Sequence, residues 1–410
     1  MKWSPKQASA LDRIGAWLAD PKAKQTFYLA GAAGSGKSTI TKHAVGDVRG
    51  RVVYMAPTGK AALVMRRKGC IGARTIHQVI YRPSGGDPPS PQVIEGMREE
   101  MKRLYAINDA GARATADQLA ERLRRAEDDS KRKGPRFSLN LECELNGAAV
   151  VVVDECSMVD RFVGEDLESF KVKLLVIGDP NQLPPVYGNG YFTSREPDAY
   201  LDEIHRQALD SPILRLADLA RQGRPLPLGP TGDGVDVRRY GHPSLEERAF
   251  GAEMILVGRN KTRHASNVKI RRLLGRSPDL TPAPGDRVIC RRNNHDLGLL
   301  NGSSWIVERS SSDVERMTAK IEVRSVEDGD NVECSAWLHW FMGREAELSG
   351  YKRVDYNEFA YGWAQTVHTA QGSQYDDVML FDESRQFGKD APKHLYTGIT
   401  RAAKTLTVVV

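Results

Sequence analysis

The chain has 410 residues, 40% of them hydrophobic, and no apolar run near the roughly 20 residues that a membrane-spanning helix requires. With a mean hydropathy of −0.46 it is expected to be soluble, and its length implies at least two cores with inserted modules. A net charge of +6 suits a polyanionic partner without demanding one. The five cysteines, Cys70, Cys143, Cys156, Cys290 and Cys334, are odd in number and form no CxxC pair, which argues against a disulfide framework or a zinc site. The opening "MKWSPKQASA" lacks an apolar stretch followed by a small-residue cleavage site, so no secretory leader is expected and the cytoplasm is the default location.

Along the chain, "TFYLAG", "KSTITKHAV", "RVVYMAP" and "KAALVMRRKG" read as strand, helix, strand and helix, an alternation that predicts a parallel sheet with crossover helices. Residues 79–147 differ in character, opening with "YRPSGGDPPSP" and closing with "RFSLNLE", and are read as an insertion. Its charged, helix-forming middle is either a solvated helical pair or a dedicated binding surface. The β-branched runs "AAVVVVDE" and "VKLLVIGD" continue the sheet, as buried parallel strands should. A second alternation starts near "AYLDEIHRQ", includes "AEMILVGRN", resumes at "FAYGWAQTVHTAQG" and closes on "DVMLF" and "LTVVV". Between its halves, short alternating runs broken by Gly, Asn and Asp suggest a small antiparallel barrel. The expected fold is therefore α/β, with two parallel-sheet cores each interrupted once. The first core takes 1–78 and 148–196, with its insertion at 79–147. The second takes 197–280 and 352–410, with its insertion at 281–351.

The chemistry starts at "GAAGSGKST". Gly31, Gly36, Lys37 and Ser38 satisfy GxxxxGK[ST] between a strand and a helix, the context this phosphate loop requires. Backbone amides of Gly34, Ser35, Gly36, Lys37, Ser38 and Thr39 would cradle the phosphates of a nucleotide. Lys37 would neutralise the β and γ groups, and the Ser38 hydroxyl would serve Mg²⁺. Asp154 and Glu155 end a strand at the sheet edge where open α/β sheets bind ligands. Asp154 can hold the magnesium shell, and Glu155 can orient or deprotonate an attacking water. In "GDPNQLPP", Gln182 could bond a γ-phosphate or a water, although the segment reads equally as a Pro-rich turn.

The ordered set "SPKQ", "GAAGSGKST", "APTGKAA", "TIH", "VVVDECSMVD", "GDPNQLPPV", "IHRQ", "TVHTAQGSQYDDV" and "LYTGITRA" resembles the superfamily 1 helicases, and within them the RecD-like and Dda-like 1B class. The resemblance implies two RecA-like cores. The first would carry a hairpin wedge flanked by "QVIYRP" and "RFSLNL", and the second an SH3-like barrel. Gln7 would then read the adenine, and Gln182 would sense the γ-phosphate from the first core. Arg206 and Arg401 would reach it from the second, which requires the two cores to face each other across a cleft. Gln374 stands where many members have Glu, so its bond to a ribose hydroxyl would be weaker. Pro57, Thr58, His77, Thr366 and His368 are the implied contacts to single-stranded DNA, while Trp363 and "WLHWF" read as core aromatics. The implied activity is an ATP-dependent DNA helicase, moving 5′ to 3′ on single-stranded DNA and parting tailed duplexes. An RNA-capable helicase and an ATP-switched single-strand binder are the alternatives. A monomer in a bacterial or phage-like setting is expected, with a single-strand binding protein or replication and recombination proteins as candidate partners and no membrane.

Overall fold

The computed structural model describes residues 3–83, 91–106, 116, 119–120, 123, 137–185, 188–201, 211–277, 279–294, 296–327, 329–348 and 356–410. Six parallel strands form the first sheet, in the order Arg74–Thr75, Arg51–Ala56, Ala148–Val153, Leu174–Gly178, Thr26–Gly31 and Ala199–Leu201. The three central strands are apolar because both faces are covered. Leu29, Val150, Val152 and Leu175 pack on one side, and Tyr28, Val151, Val153 and Val176 on the other. The phosphate loop leaves the C-terminal end of Thr26–Gly31 and enters the helix Lys37–Gly46.

The second sheet runs Ala364–Thr366, Met254–Val257, Tyr375–Phe381, Ala402–Val409, Val235–Arg238 and Gly229–Gly232. Its members are parallel except the last, which pairs antiparallel with Val235–Arg238. The helices Pro212–Arg221 and Ala391–Ile399 cover one face of this sheet, and Asn260–Leu273 packs against the strands Met254–Val257 and Ala364–Thr366. A closed barrel of Arg287–Cys290, Ser304–Asp313, Thr318–Ser325, Asn331–Trp337 and Asn357–Tyr361 is inserted in this core.

Three features depart from the sequence reading. Ala199–Leu201 was expected to open the second core, yet it pairs with Leu29–Gly31 as an edge strand of the first sheet. Its buried Leu201 backs against Gly31, where an added Cβ would sit 2.9 Å from the Leu201 carbonyl oxygen. The barrel extends past the expected boundary at 351, because Asn357–Tyr361 closes it before the chain turns into the second sheet. It is also not wholly antiparallel, since Ala336 pairs with Asn357 in a parallel register. In the first insertion, Tyr81–Pro83 and Phe137–Leu139 pair antiparallel, and the helix Pro91–Ala106 follows within the expected charged stretch. The rest of that stretch falls largely outside the described residues, as does the tip of the expected wedge.

A buried ion pair fastens the barrel to its core. Arg271, on the helix Asn260–Leu273, places Nη2 3.2 Å from Asp286 Oδ2, and the two side chains are 1% and 0% exposed. The guanidinium also donates to the Thr281 carbonyl (2.7 Å) and lies 4.4 Å from the Tyr361 ring centre. Burial still pushes the Asp286 carboxyl above its ordinary pKa, despite the amide of Ala283 and the nearby arginines. Removing one member of such a pair strands the other in a low-dielectric site. We therefore expect Asp286→Ala to lower unfolding stability by about 3–5 kcal/mol in urea titrations, and a loss under about 1 kcal/mol would refute the assignment.

Candidate functional site

The phosphate loop takes its shape from two glycines, Gly34 (φ 78°) and Gly36 (φ 85°), which occupy the left-handed region that glycine adopts without steric cost. Gly36 caps the helix Lys37–Gly46, so that helix's first amides point into the loop. Lys37 Nζ lies 2.6 Å from the Gly31 carbonyl oxygen and 2.8 Å from that of Ala32, inside the loop's curve. Gln7 is buried and spans two elements. Its Oε1 accepts the Ser4 amide (3.1 Å) and its Nε2 donates to the Ser35 carbonyl (3.1 Å). It thus ties the first helix, Pro5–Ala19, to the loop. Ser38 lies half-buried and Thr39 exposed on the first turn of the loop helix.

Asp154 and Glu155 follow the strand Ala148–Val153 and leave the same edge of the parallel sheet as the phosphate loop. The Asp154 Oδ1 accepts the Glu155 amide (2.8 Å), and Glu155 holds a left-handed backbone, φ 53°, which costs a non-glycine residue on the order of 1–3 kcal/mol. Both pKa values are raised, for Asp154 by burial and for Glu155 by burial and then by the Asp154 charge. Lys37 pulls both the other way, and Arg401 acts on Glu155 from the second core. No three metal-ligating His, Cys, Asp or Glu side chains converge among the described residues. One desolvated carboxylate, a hydroxyl and substrate phosphates form the donor set that Mg²⁺ takes, so Ser38 and Asp154 fit that ion.

Arg401 is 5% exposed and held by three bonds: Nε to the Thr397 carbonyl (3.1 Å), Nη1 to the Ser373 carbonyl (3.1 Å) and Nη2 to Thr400 Oγ1 (3.1 Å). Arg206 lies outside the described residues. Gln182 is buried in the turn after Leu174–Gly178, and its Oε1 has no hydrogen-bond partner among the described residues. An orphaned acceptor at that depth suits a donor arriving with the substrate. Gln374 is exposed, one residue past Ser373, at the start of Tyr375–Phe381.

The expected strand contacts fall into separate groups. Thr58 caps the helix Gly59–Arg67 by accepting the Ala61 amide, and Pro57 lies half-buried beside it. Gly372 of the second core lies directly over this cap. An added Cβ there would come 3.0 Å from Ala61 Cβ and 3.3 Å from Thr58 Oγ1. His77 is exposed, with its ring 5.0 Å from Tyr81 and 6.4 Å from the exposed Phe137 on the paired strands. Thr366 shares a hydroxyl contact with Thr369 (2.9 Å). His368 packs 5.6 Å from Phe387, and burial lowers its pKa, so near pH 7 it offers a ring face rather than a charge. Of the aromatics read as core, Trp337 and Phe341 are buried in the barrel.

Sequence reasoning passed over Tyr396, Asp179, Thr397 and Gln371, which join the two cores beside the phosphate loop. Tyr396 Oη accepts the Ala33 amide (2.9 Å) and donates to Asp179 Oδ2 (2.5 Å). Thr397 Oγ1 accepts the Leu183 amide (3.0 Å), and Gln371 Nε2 donates to the Leu183 carbonyl (2.9 Å). The signal was present in "LYTGITRA": a tyrosine and a threonine side by side on a buried stretch of helix, just ahead of the arginine.

A phosphate loop on one parallel-sheet core, with an arginine presented by a second, defines a two-core P-loop nucleotide-binding protein. The AAA-domain family matches residues 3–231, and the UvrD-like helicase C-terminal domain matches 361–409. The chain belongs to the AAA-domain family. It is 25% identical to the ATP-dependent RecD2 DNA helicase of Deinococcus radiodurans, over 97% of this chain and 48% of that protein. It is 26% identical to the RecBCD enzyme subunit RecD of Mycobacterium tuberculosis, over 93% of this chain and 66% of that one. The chain thus spans about half of the first relative and 66% of the second. In fold it is similar to Bacteroides Pif1 bound to ssDNA, with a TM-score of 0.55 at 14% identity, covering 100% of this chain and 92% of that one.

A carboxylate whose pKa rises on folding binds its proton more readily in the folded chain than in the unfolded one. Its ionised form therefore opposes folding at neutral pH, and stability recovers as pH falls through the raised value toward the ordinary carboxylate pKa of about 4. We expect Glu155→Gln to raise the melting temperature at pH 7, with the gain shrinking on acidification, while cutting ATP turnover by about 10²- to 10⁴-fold. Calorimetry at pH 7 and pH 5 checks this, and an unchanged or lower melting temperature at pH 7 would contradict the desolvation argument.

Proposed function

We propose that the chain is an ATP-dependent DNA helicase that moves 5′ to 3′ along single-stranded DNA and separates tailed duplexes in replication, recombination or repair. The observation that carries this reading is the seam beside the phosphate loop, where Tyr396 of the second core bonds Ala33 and Asp179 of the first, and Thr397 bonds both Leu183 of the first core and Arg401 of its own. An ATPase divided in this way ties cleavage to the relative position of two cores, which a motor needs. Lys37 and the loop amides bind the phosphates. Glu155 orients and deprotonates the attacking water, Gln182 accepts one of its hydrogens, and Arg401, with Arg206, stabilises the charge that develops on the γ-phosphate. Ser38 and Asp154 would hold Mg²⁺, which supplies charge neutralisation on the phosphates. Gln7 meets the adenine and Gln374 the ribose.

The strand lies across both cores. Pro57, Thr58 and His77 hold it on the first, and Thr366 and His368 on the second. Hydroxyls meet phosphates, and ring faces such as His77 beside Phe137 stack on bases, each worth about 1–3 kcal/mol. The protein acts as a monomer, with single-strand binding or recombination proteins as partners.

We expect unwinding of a duplex bearing a 5′ single-stranded tail in the presence of ATP, with a 3′-tailed duplex left intact. Unwinding of the 3′-tailed substrate alone would reverse the polarity. Stimulation by poly(U) equal to that by poly(dT) would favour an RNA-capable enzyme, and strand binding without unwinding a switch. Lys37→Ala should abolish hydrolysis while leaving strand binding measurable. Arg401→Lys should still bind ATP but cleave it about 10³-fold more slowly, and a wild-type rate would remove Arg401 from the site.

A further inference from the structure

Tyr396 occupies the helix Ala391–Ile399 of the second core with 2% of its surface exposed, yet both hydrogen bonds of its hydroxyl cross to the first core. One takes the amide of Ala33, in the phosphate loop. The other gives a proton to Asp179, which is fully buried at the end of the strand Leu174–Gly178. Asp179 Oδ1 meanwhile shapes the turn leading to Gln182, accepting from the Asn181 amide (2.9 Å) and Nδ2 (3.1 Å). A single phenol thus joins the loop that carries Lys37 to the turn that carries Gln182. The next residue extends the bridge. Thr397 takes the Leu183 amide on its hydroxyl and Arg401 Nε on its carbonyl.

We propose that Tyr396 is a positioning residue that sets Arg401 in register with the phosphate loop, so that a displacement of Ala33 or Asp179 is passed along one turn of helix to the guanidinium. The inference rests on the ATPase reading above and assigns that site its mechanical link. The side chain touches neither the reacting atoms nor the strand and acts only through Arg401. The hydroxyl, not the ring, is the working part, because ring packing alone would fill the same space without fixing the two loops to each other.

The test measures ATP hydrolysis with and without poly(dT) in the wild-type chain, Tyr396→Phe, Arg401→Lys and the double variant. Tyr396→Phe is expected to lower kcat about tenfold with KM for ATP nearly unchanged, and to lower the melting temperature because Asp179 loses a partner in a buried site. In the Arg401→Lys background the same change should cost nothing further, since a residue acting through Arg401 has nothing left to position. Losses that multiply in the double variant, a kcat that stays at the wild-type level, or a raised KM with kcat retained would each overturn the proposal. Asp179→Asn, which keeps an oxygen acceptor for the phenol, should lose less kcat than Asp179→Ala, and equal losses would count against the bridge. A wild-type chain that shows no poly(dT)-dependent hydrolysis overturns the helicase reading and this inference with it. A stimulated wild type beside an equally active Tyr396→Phe overturns this inference alone.

Discussion

Two carboxylates on consecutive residues, Asp154 and Glu155, set the electrostatic problem that the rest of the molecule answers. Each is desolvated, and the Asp154 charge raises the pKa of its neighbour further. Lys37 lies within reach of both but is itself drawn to the carbonyls of Gly31 and Ala32. Lys68 of the same core also pulls on Asp154, yet both groups stay raised. Arg401 offsets part of the cost at Glu155, and it arrives on another sheet, so apposition of the cores eases the burial of the acid pair.

The contacts that bring the cores together suit repeated use. They include hydrogen bonds and close approaches, Tyr396 to Ala33 and Asp179, Thr397 and Gln371 to Leu183, and Gly372 over Thr58 and Ala61, with Lys60 of the first core set over the Tyr375 ring and paired with Glu327. Apolar continuity across the boundary is thin, with Leu183 and Ala33 packed against the second core's cluster. A seam of this kind resembles a transient interface and lets rigid bodies shift at low cost, whereas a continuous apolar core would fuse them. The barrel is treated differently. Arg271 and Asp286 bury a charged pair between it and the second core, and Asn357–Tyr361 passes directly into the second sheet, so barrel and core are built to move together. The loop bearing Leu300 rests 3.2 Å from the position a Cβ would take at Gly59, which carries the barrel up to the helix that Thr58 caps.

Central strands were legible in the sequence because burial on both faces demands unbroken β-branched runs, as in "VVVV" of Val150–Val153. The phosphate loop was legible because only glycine accepts its φ values cheaply. Edges were harder. Ala199–Leu201 is three residues long and has no periodicity with which to declare its sheet. The barrel's last strand was hidden by its immediate continuation into Ala364–Thr366. Tyr396 and Asp179 escaped for another reason. They stand 217 residues apart, and each alone is an ordinary member of an apolar element. A hydrogen bond between domains leaves at most polar side chains on a buried element, with nothing local to name the partner.

The strained backbone at Glu155 shows how local and long-range constraints meet. A left-handed residue persists only where its surroundings leave no alternative. Here the chain beyond it turns at once into Cys156–Met158, and the Cys156 thiol is fully buried beneath the neighbouring strand. That position is open only because residue 178 is glycine, where an added Cβ would stand 2.6 Å from Cys156 Sγ and 3.3 Å from the Ser157 amide nitrogen. A side chain at Gly178 would press on the turn that follows Glu155, and so on the backbone that aims its carboxylate. The aim of the cleft's second acid is therefore set by the absence of a side chain on the adjacent strand, one residue before Asp179 and its bond to the opposite core.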